Sequence, residues 1–81
     1  MAYQSVRQRV AGALLHIHST KMDTTSDPII TISRKDIANI VGTATESLNR
    51  TLADFADEKM IEIVNHGLRI TDKPKLEKIL K

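Results

Sequence analysis

The stretch Ser33-Arg34-Lys35-Asp36-Ile37-Ala38-Asn39-Ile40-Val41-Gly42-Thr43-Ala44-Thr45-Glu46-Ser47-Leu48-Asn49-Arg50-Thr51-Leu52-Ala53-Asp54-Phe55-Ala56-Asp57-Glu58-Lys59-Met60 decides how this chain folds. It reads as two helices joined by a tight turn. Ser33 is placed to cap the first helix, with Asp36 three residues on in a capping-box position. Ile37, Ile40 and Val41 give that helix an apolar face. Gly42 ends it, because glycine takes the left-handed conformation that a sharp exit needs. Thr43 is the expected cap of the second helix, with Glu46 three residues later. Leu48, Leu52 and Phe55 recur at i, i+4 and i+7 and form its apolar stripe. The spacing predicts a helix-turn-helix over residues 33–59.

On the carboxyl side, Ile61-Glu62-Ile63 alternates apolar and polar, Asn65-His66-Gly67 supplies turn residues, and Leu68-Arg69-Ile70 alternates again. That is a β-hairpin. A hairpin directly after such a helix is a wing, here residues 61–70. Asp72 then caps a last short helix in which Leu76, Ile79 and Leu80 can pack back on the body. Pro74 is tolerated in its first turn, where no N–H bond is lost. On the amino side, Tyr3 to about Thr20 reads as a helix with Val6, Val10, Ala13, Leu14 and Ile17 facing one way. Gln4, Arg7, Gln8 and Arg9 face the other. Gly12 lies mid-helix, which suggests close packing against a neighbouring helix. Lys21 to Pro28 reads as a loop, and Ile29-Ile30-Thr31-Ile32 as a short strand. The fold class is mainly α with a small β-wing, a winged helix-turn-helix, and residues 1–81 form a single domain.

Composition narrows the function. The chain has 81 residues, of which 41% are hydrophobic and 27% charged, as in an ordinary folded domain. It has no cysteine, which excludes disulfides and thiolate zinc sites and fits a cytoplasmic location. No apolar run is long enough to cross a membrane. The net charge of +2 permits nucleic-acid binding and predicts weak non-specific affinity for one copy. His16 and His18 point to different faces of one helix, so no metal site is expected. No nucleophile–base constellation is visible, so the reading is not an enzyme.

The run Ile32 to Gly42, followed by Thr45-Glu46-Ser47-Leu48-Asn49-Arg50, resembles the DNA-binding signature of the CRP/FNR transcription regulators. The likeness includes small Ala38 where the helices cross, the turn Gly42 and the Glu46/Arg50 pair. It implies a bacterial, cytoplasmic regulator that binds palindromic double-stranded DNA as a homodimer, with RNA polymerase as a partner. It also implies that this chain is the DNA-binding domain of a longer protein and is monomeric alone. Any cyclic nucleotide or other effector would bind a separate sensor domain, and no cofactor is expected here.

From spacing alone, Glu46 and Arg50 are an ordinary surface pair one turn apart. The resemblance makes them base readers: arginine can donate to guanine O6 and N7, and glutamate can accept from cytosine N4. Asn49, beside them, can bond adenine N6 and N7. Thr45 resembles the FNR branch, where a small side chain stands, and suggests a TTGA-like half-site. Ser33, Arg34 and Lys35 are either a solvated cap or phosphate contacts. Thr43, Thr45, Ser47 and His66 are further phosphate-contact candidates, with capping or a plain turn as the alternatives. Asp54, Asp57 and Glu58 make the far end of the second helix acidic, so that end must point away from DNA. The competing reading is a winged helix used for protein–protein contact. Such a surface should be apolar around Glu46, Asn49 and Arg50, and in the sequence it is polar.

Overall fold

The computed structural model describes residues 5–21, 29–65 and 67–80. The expected helix start at Tyr3 and Gln4, most of the expected loop, and His66 lie outside the described residues. Among those described, the order is α1 (Val6–Lys21), α2 (Arg34–Val41), α3 (Thr45–Asp57), β1 (Ile61–Val64), β2 (Gly67–Ile70) and α4 (Lys73–Ile79). This is the expected winged helix-turn-helix. Lys21, expected in the loop, belongs to α1.

Local chemistry sets most helix boundaries. Ser33 Oγ accepts from the Asp36 N–H at 3.1 Å and so caps α2. Gly42 closes that helix at φ 82, a left-handed conformation that any side chain would strain. The Gly42 and Thr43 N–H groups both donate to Ala38 O, at 2.8 and 3.0 Å. That exit engages Thr43, and α3 starts beyond it. The cap residue of α3 is Ala44, which has no side-chain acceptor, so the expected Thr43–Glu46 capping box does not form. At α4, Asp72 Oδ1 accepts from the Lys75 N–H at 3.1 Å, as its sequence position implies.

One apolar cluster joins the elements. Val10, Leu14 and Ile17 of α1 meet Ile37, Ala38 and Val41 of α2 and Leu48, Leu52 and Phe55 of α3. Ile30, Met60, Ile61, Leu68, Ile70 and Leu76 complete it. Leu48, Leu52 and Phe55 are each fully buried, as their spacing requires. Two apolar expectations need correction. Ile40 is 61% exposed, because the buried arc of α2 runs from Ile37 through Val41 to Ala38 and Ile40 falls past its edge. At the end of α4, Leu76 is buried and Ile79 packs on the core, but Leu80 stands half out of it.

Arg7 also departs from its expected place on the solvent face. Its guanidinium lies 5.0 Å from the Phe55 ring centroid, and its Nη2 donates to the Glu58 carboxylate at 2.9 Å. Two long-range polar contacts hold the same end of α3. Lys75 Nζ donates to Glu58 O at 2.7 Å, and Thr71 Oγ1 donates to Lys59 O at 2.8 Å.

The wing pairs Ile61 with Ile70 and Val64 with Gly67 in antiparallel register. Glu62 and Arg69 pair across it and are joined by a salt bridge. The expected strand at 29–32 reduces to one bridge, in which Ile30 N donates to Leu68 O at 2.7 Å and Leu68 N to Ile30 O at 3.0 Å. Gly67 lets that bridge form. A Cβ at Gly67 would sit 1.9 Å from Ile30 O. Gly12 is different: a Cβ there would make an ordinary 3.7 Å contact with Leu80 Cδ2, so packing does not require glycine.

The two glycines should therefore answer alanine in opposite senses. Gly67→Ala must displace Ile30 and should cost about 1–3 kcal/mol. Gly12→Ala should gain about 0.4–1 kcal/mol through the unfolded chain and helix propensity. Urea melts of both variants measure this. Leu48→Ala, at a fully buried site, should cost about 2–5 kcal/mol in the same assay.

Candidate nucleic-acid interface

The carboxyl end of α3 is clamped by side chains from other elements. Arg7, Lys75 and Thr71 all act on residues 58–59 or the Phe55 ring, beyond or near its carboxyl end. The opposite end has no side-chain cap, and Thr45 and Glu46 in its first turn are exposed. Buried Leu48 and Leu52 point that half's other side inward, leaving Asn49 and Arg50 outside. The N-terminal half of α3 is thus a polar ridge backed by the core.

Glu46, Asn49 and Arg50 share this ridge and are all exposed. Among the described residues, neither a hydrogen bond nor an ion pair holds Arg50, and the Arg50–Asp54 pair that spacing allows does not form. Ser47 is half-buried, and its carbonyl accepts from Thr51 Oγ1 at 3.0 Å. Thr43 is half-buried in the turn. Ser33 and Lys35 are exposed at the start of α2, and Arg34 beside them is half-buried.

The structure joins two of these residues in a way their positions in sequence do not suggest. Arg34 Nη1 donates to Asn49 Oδ1 at 3.1 Å, across fifteen residues, tying the first residue of α2 to the ridge of α3. Asn65 of the wing turn lines the same cleft, of about 220 Å³, as Ser33 and Arg34. Asn65 is legible in the sequence only as a turn former; its place on a cleft shared with the start of α2 follows from the Ile30–Leu68 bridge. His66, the wing residue expected to touch phosphate, lies outside the described residues.

Charge is mixed at both ends of α3: Arg34, Lys35 and Arg50 share the amino side with Asp36 and Glu46, and Asp54, Asp57 and Glu58 share the carboxyl side with Arg7 and Lys75. Among the described residues, no group of three His, Cys, Asp or Glu side chains is placed to hold a metal. No helix among them is long and apolar enough to cross a membrane.

The fold has counterparts in known proteins. The family model of the Crp-like helix-turn-helix domain matches residues 8–79. A CRP/FNR-family transcriptional regulator from Thermus thermophilus superposes with a TM-score of 0.82 at 20% identity, a likeness of fold. It covers 95% of this chain and 41% of that one. The catabolite activator protein of the same organism gives 0.80 at 27% identity over 93% of this chain and 33% of its own. A further CRP-family regulator from Thermus thermophilus gives 0.80 at 25% identity, over 96% and 41%. The chain thus spans about a third to two-fifths of the solved structures it matches. No curated protein sequence matches it significantly. With the family pattern running through α1, the helix-turn-helix, the wing and α4, the chain belongs to the Crp-like helix-turn-helix family, the DNA-binding domain of CRP/FNR-type transcription regulators.

Proposed function

We propose that this domain reads the sequence of duplex DNA by seating the N-terminal half of α3 in the major groove. The observation that carries the reading is the exposed polar ridge of Glu46, Asn49 and Arg50 on a helix whose carboxyl end is held by Arg7 and Lys75. Arg50 donates to guanine O6 and N7, Glu46 accepts from cytosine N4, and Asn49 meets the neighbouring base edge. Ser33, Arg34, Lys35, Thr43, Thr45 and Ser47 serve as phosphate contacts that fix the register, with His66 of the wing joining them. Arg34 combines this with its bond to Asn49.

The same proposal makes the domain part of a longer bacterial regulator of the cytoplasm. That regulator works as a homodimer on a palindrome, with an effector-binding domain elsewhere in its chain and RNA polymerase as partner. The domain itself holds no cofactor and acts as a binding module rather than an enzyme. A protein-docking use of α3 is disfavoured because its exposed surface is polar and charged.

If binding requires two half-sites, fusing the domain to a dimeric coiled coil should raise affinity for a palindrome by roughly 10²-fold or more. An equal affinity of monomer and fused dimer for the best palindrome, measured by fluorescence anisotropy, would contradict the dimeric reading.

Arg50 and Lys35 should differ in kind. Arg50→Ala should remove about 1–3 kcal/mol of discrimination at one guanine while leaving non-specific binding nearly intact. Lys35→Ala should weaken all sequences alike and reduce the salt slope by about one unit. Base-preference profiles of both variants at two salt concentrations measure the difference. Uniform weakening by Arg50→Ala would reassign that residue to the phosphate backbone.

A further inference from the structure

The Arg34–Asn49 hydrogen bond decides which way round the Asn49 amide is presented. A guanidinium has five N–H donors and no acceptor. Only the Oδ1 side of an asparagine amide can face it favourably, since an amide turned the other way would set two donors against each other. Arg34 Nη1 sits 3.1 Å from Asn49 Oδ1, so the amide is fixed with its oxygen toward Arg34. Asn49 is exposed, and among the described residues its Nδ2 group has no partner.

Given the base-reading role proposed above, we infer that Arg34 is a positioning residue that makes Asn49 a hydrogen-bond donor toward DNA. Asn49 then selects a base edge bearing acceptors, guanine or thymine, in place of adenine. Asparagine pairs with adenine by offering Oδ1 to the N6 amino group and Nδ2 to N7 together. Here Oδ1 already accepts from a cation, and that cation repels the adenine N6 donor. Guanine presents N7 and O6, and thymine presents O4, all acceptors. The same positive charge favours them. Arg34 is the first residue of α2 and Asn49 lies mid-ridge on α3, so the bond also couples the phosphate-side helix to the base-reading one.

The test uses the chain itself at low ionic strength, with duplexes in which each base pair of the half-site is varied in turn. Asn49→Ala identifies the position that Asn49 reads. The wild-type chain should prefer guanine or thymine there by about fivefold, the scale of one net hydrogen bond. Arg34→Met should flatten that preference or turn it toward adenine, while the guanine read by Arg50 stays preferred. Asn49→Asp keeps an acceptor for Arg34 but offers DNA an oxygen in place of an amino group. It should shift the preference to cytosine or adenine, which present amino donors. Circular dichroism melts establish that each variant is folded, and Asn49→Asp provides the decision if Arg34→Met is not.

Three results overturn the inference. One is an adenine preference at the Asn49 position in the wild-type chain. Another is an Arg34→Met variant that weakens all duplexes alike and leaves that position unchanged. The third is an Asn49→Asp variant that keeps the wild-type base. In each of these the Arg50-dependent guanine survives and base reading stands. A wild-type chain that binds every duplex equally would remove the base-reading proposal and this inference with it.

Discussion

Burial of one side of α3 governs the rest of the molecule. Leu48, Leu52 and Phe55 are fully buried, and each contributes on the order of 2 kcal/mol of apolar transfer free energy. With those three side chains inside, Glu46, Asn49 and Arg50 stand on the exposed side of the helix, and Ser47 and Thr51 are half-buried at its flanks. The exposed polar ridge is thus the remainder of a packing solution. The elements around α3 supply the other side of the burial: Val10 and Leu14 from α1, Ile37 and Ala38 from α2, and Ile61 from the wing.

The clamp at the far end adds direction to that packing. Arg7 reaches Phe55 and Glu58, Lys75 reaches the Glu58 carbonyl, and Thr71 reaches the Lys59 carbonyl. Each contact alone is small, since a partly exposed cation–π contact or ion pair gives about 0.2–1 kcal/mol. Together they fix the carboxyl end of α3 from two helices and consume part of its acidic charge. The amino end keeps its N–H groups free of any side-chain cap. The helix dipole favours an anion at that end.

Features that depend on neighbours a few residues apart are legible in the sequence. The Ser33 and Asp72 caps, the left-handed Gly42, the stripe of α3 and the wing hairpin all rest on local chemistry, and all occur where that chemistry predicts. The expectations that fail depend on something further away or on competition. Thr43 has the side chain of a cap, but its N–H takes part in the exit from α2, so Ala44 occupies the cap position. Ile40 is apolar and at helical spacing, yet the buried arc of a helix as short as α2 is filled by Ile37, Ala38 and Val41. Arg7 reads as a solvent-face cation because Phe55 and Glu58 lie about fifty residues away in the chain. For the candidate site, the residues that resemble the CRP/FNR signature point to the ridge and to the α2 cluster. They point neither to the Arg34–Asn49 bond nor to the place of Asn65, since both exist only after α2, α3 and the wing have docked.

The Ile30–Leu68 bridge shows how little backbone is needed to set that docking. Two hydrogen bonds hold the segment before α2 against β2, and Gly67 gives the Ile30 carbonyl room to approach. The bridge fixes where the chain enters Ser33, and Ser33 fixes where α2 begins. The first residue of α2 is Arg34, whose guanidinium then reaches Asn49 on the far helix. The orientation of an amide on the exposed ridge thus rests on a glycine in the wing, through a bridge, a cap and a guanidinium. Under the proposed base reading, a net charge of only +2 leaves selectivity to the few polar groups whose direction the fold controls.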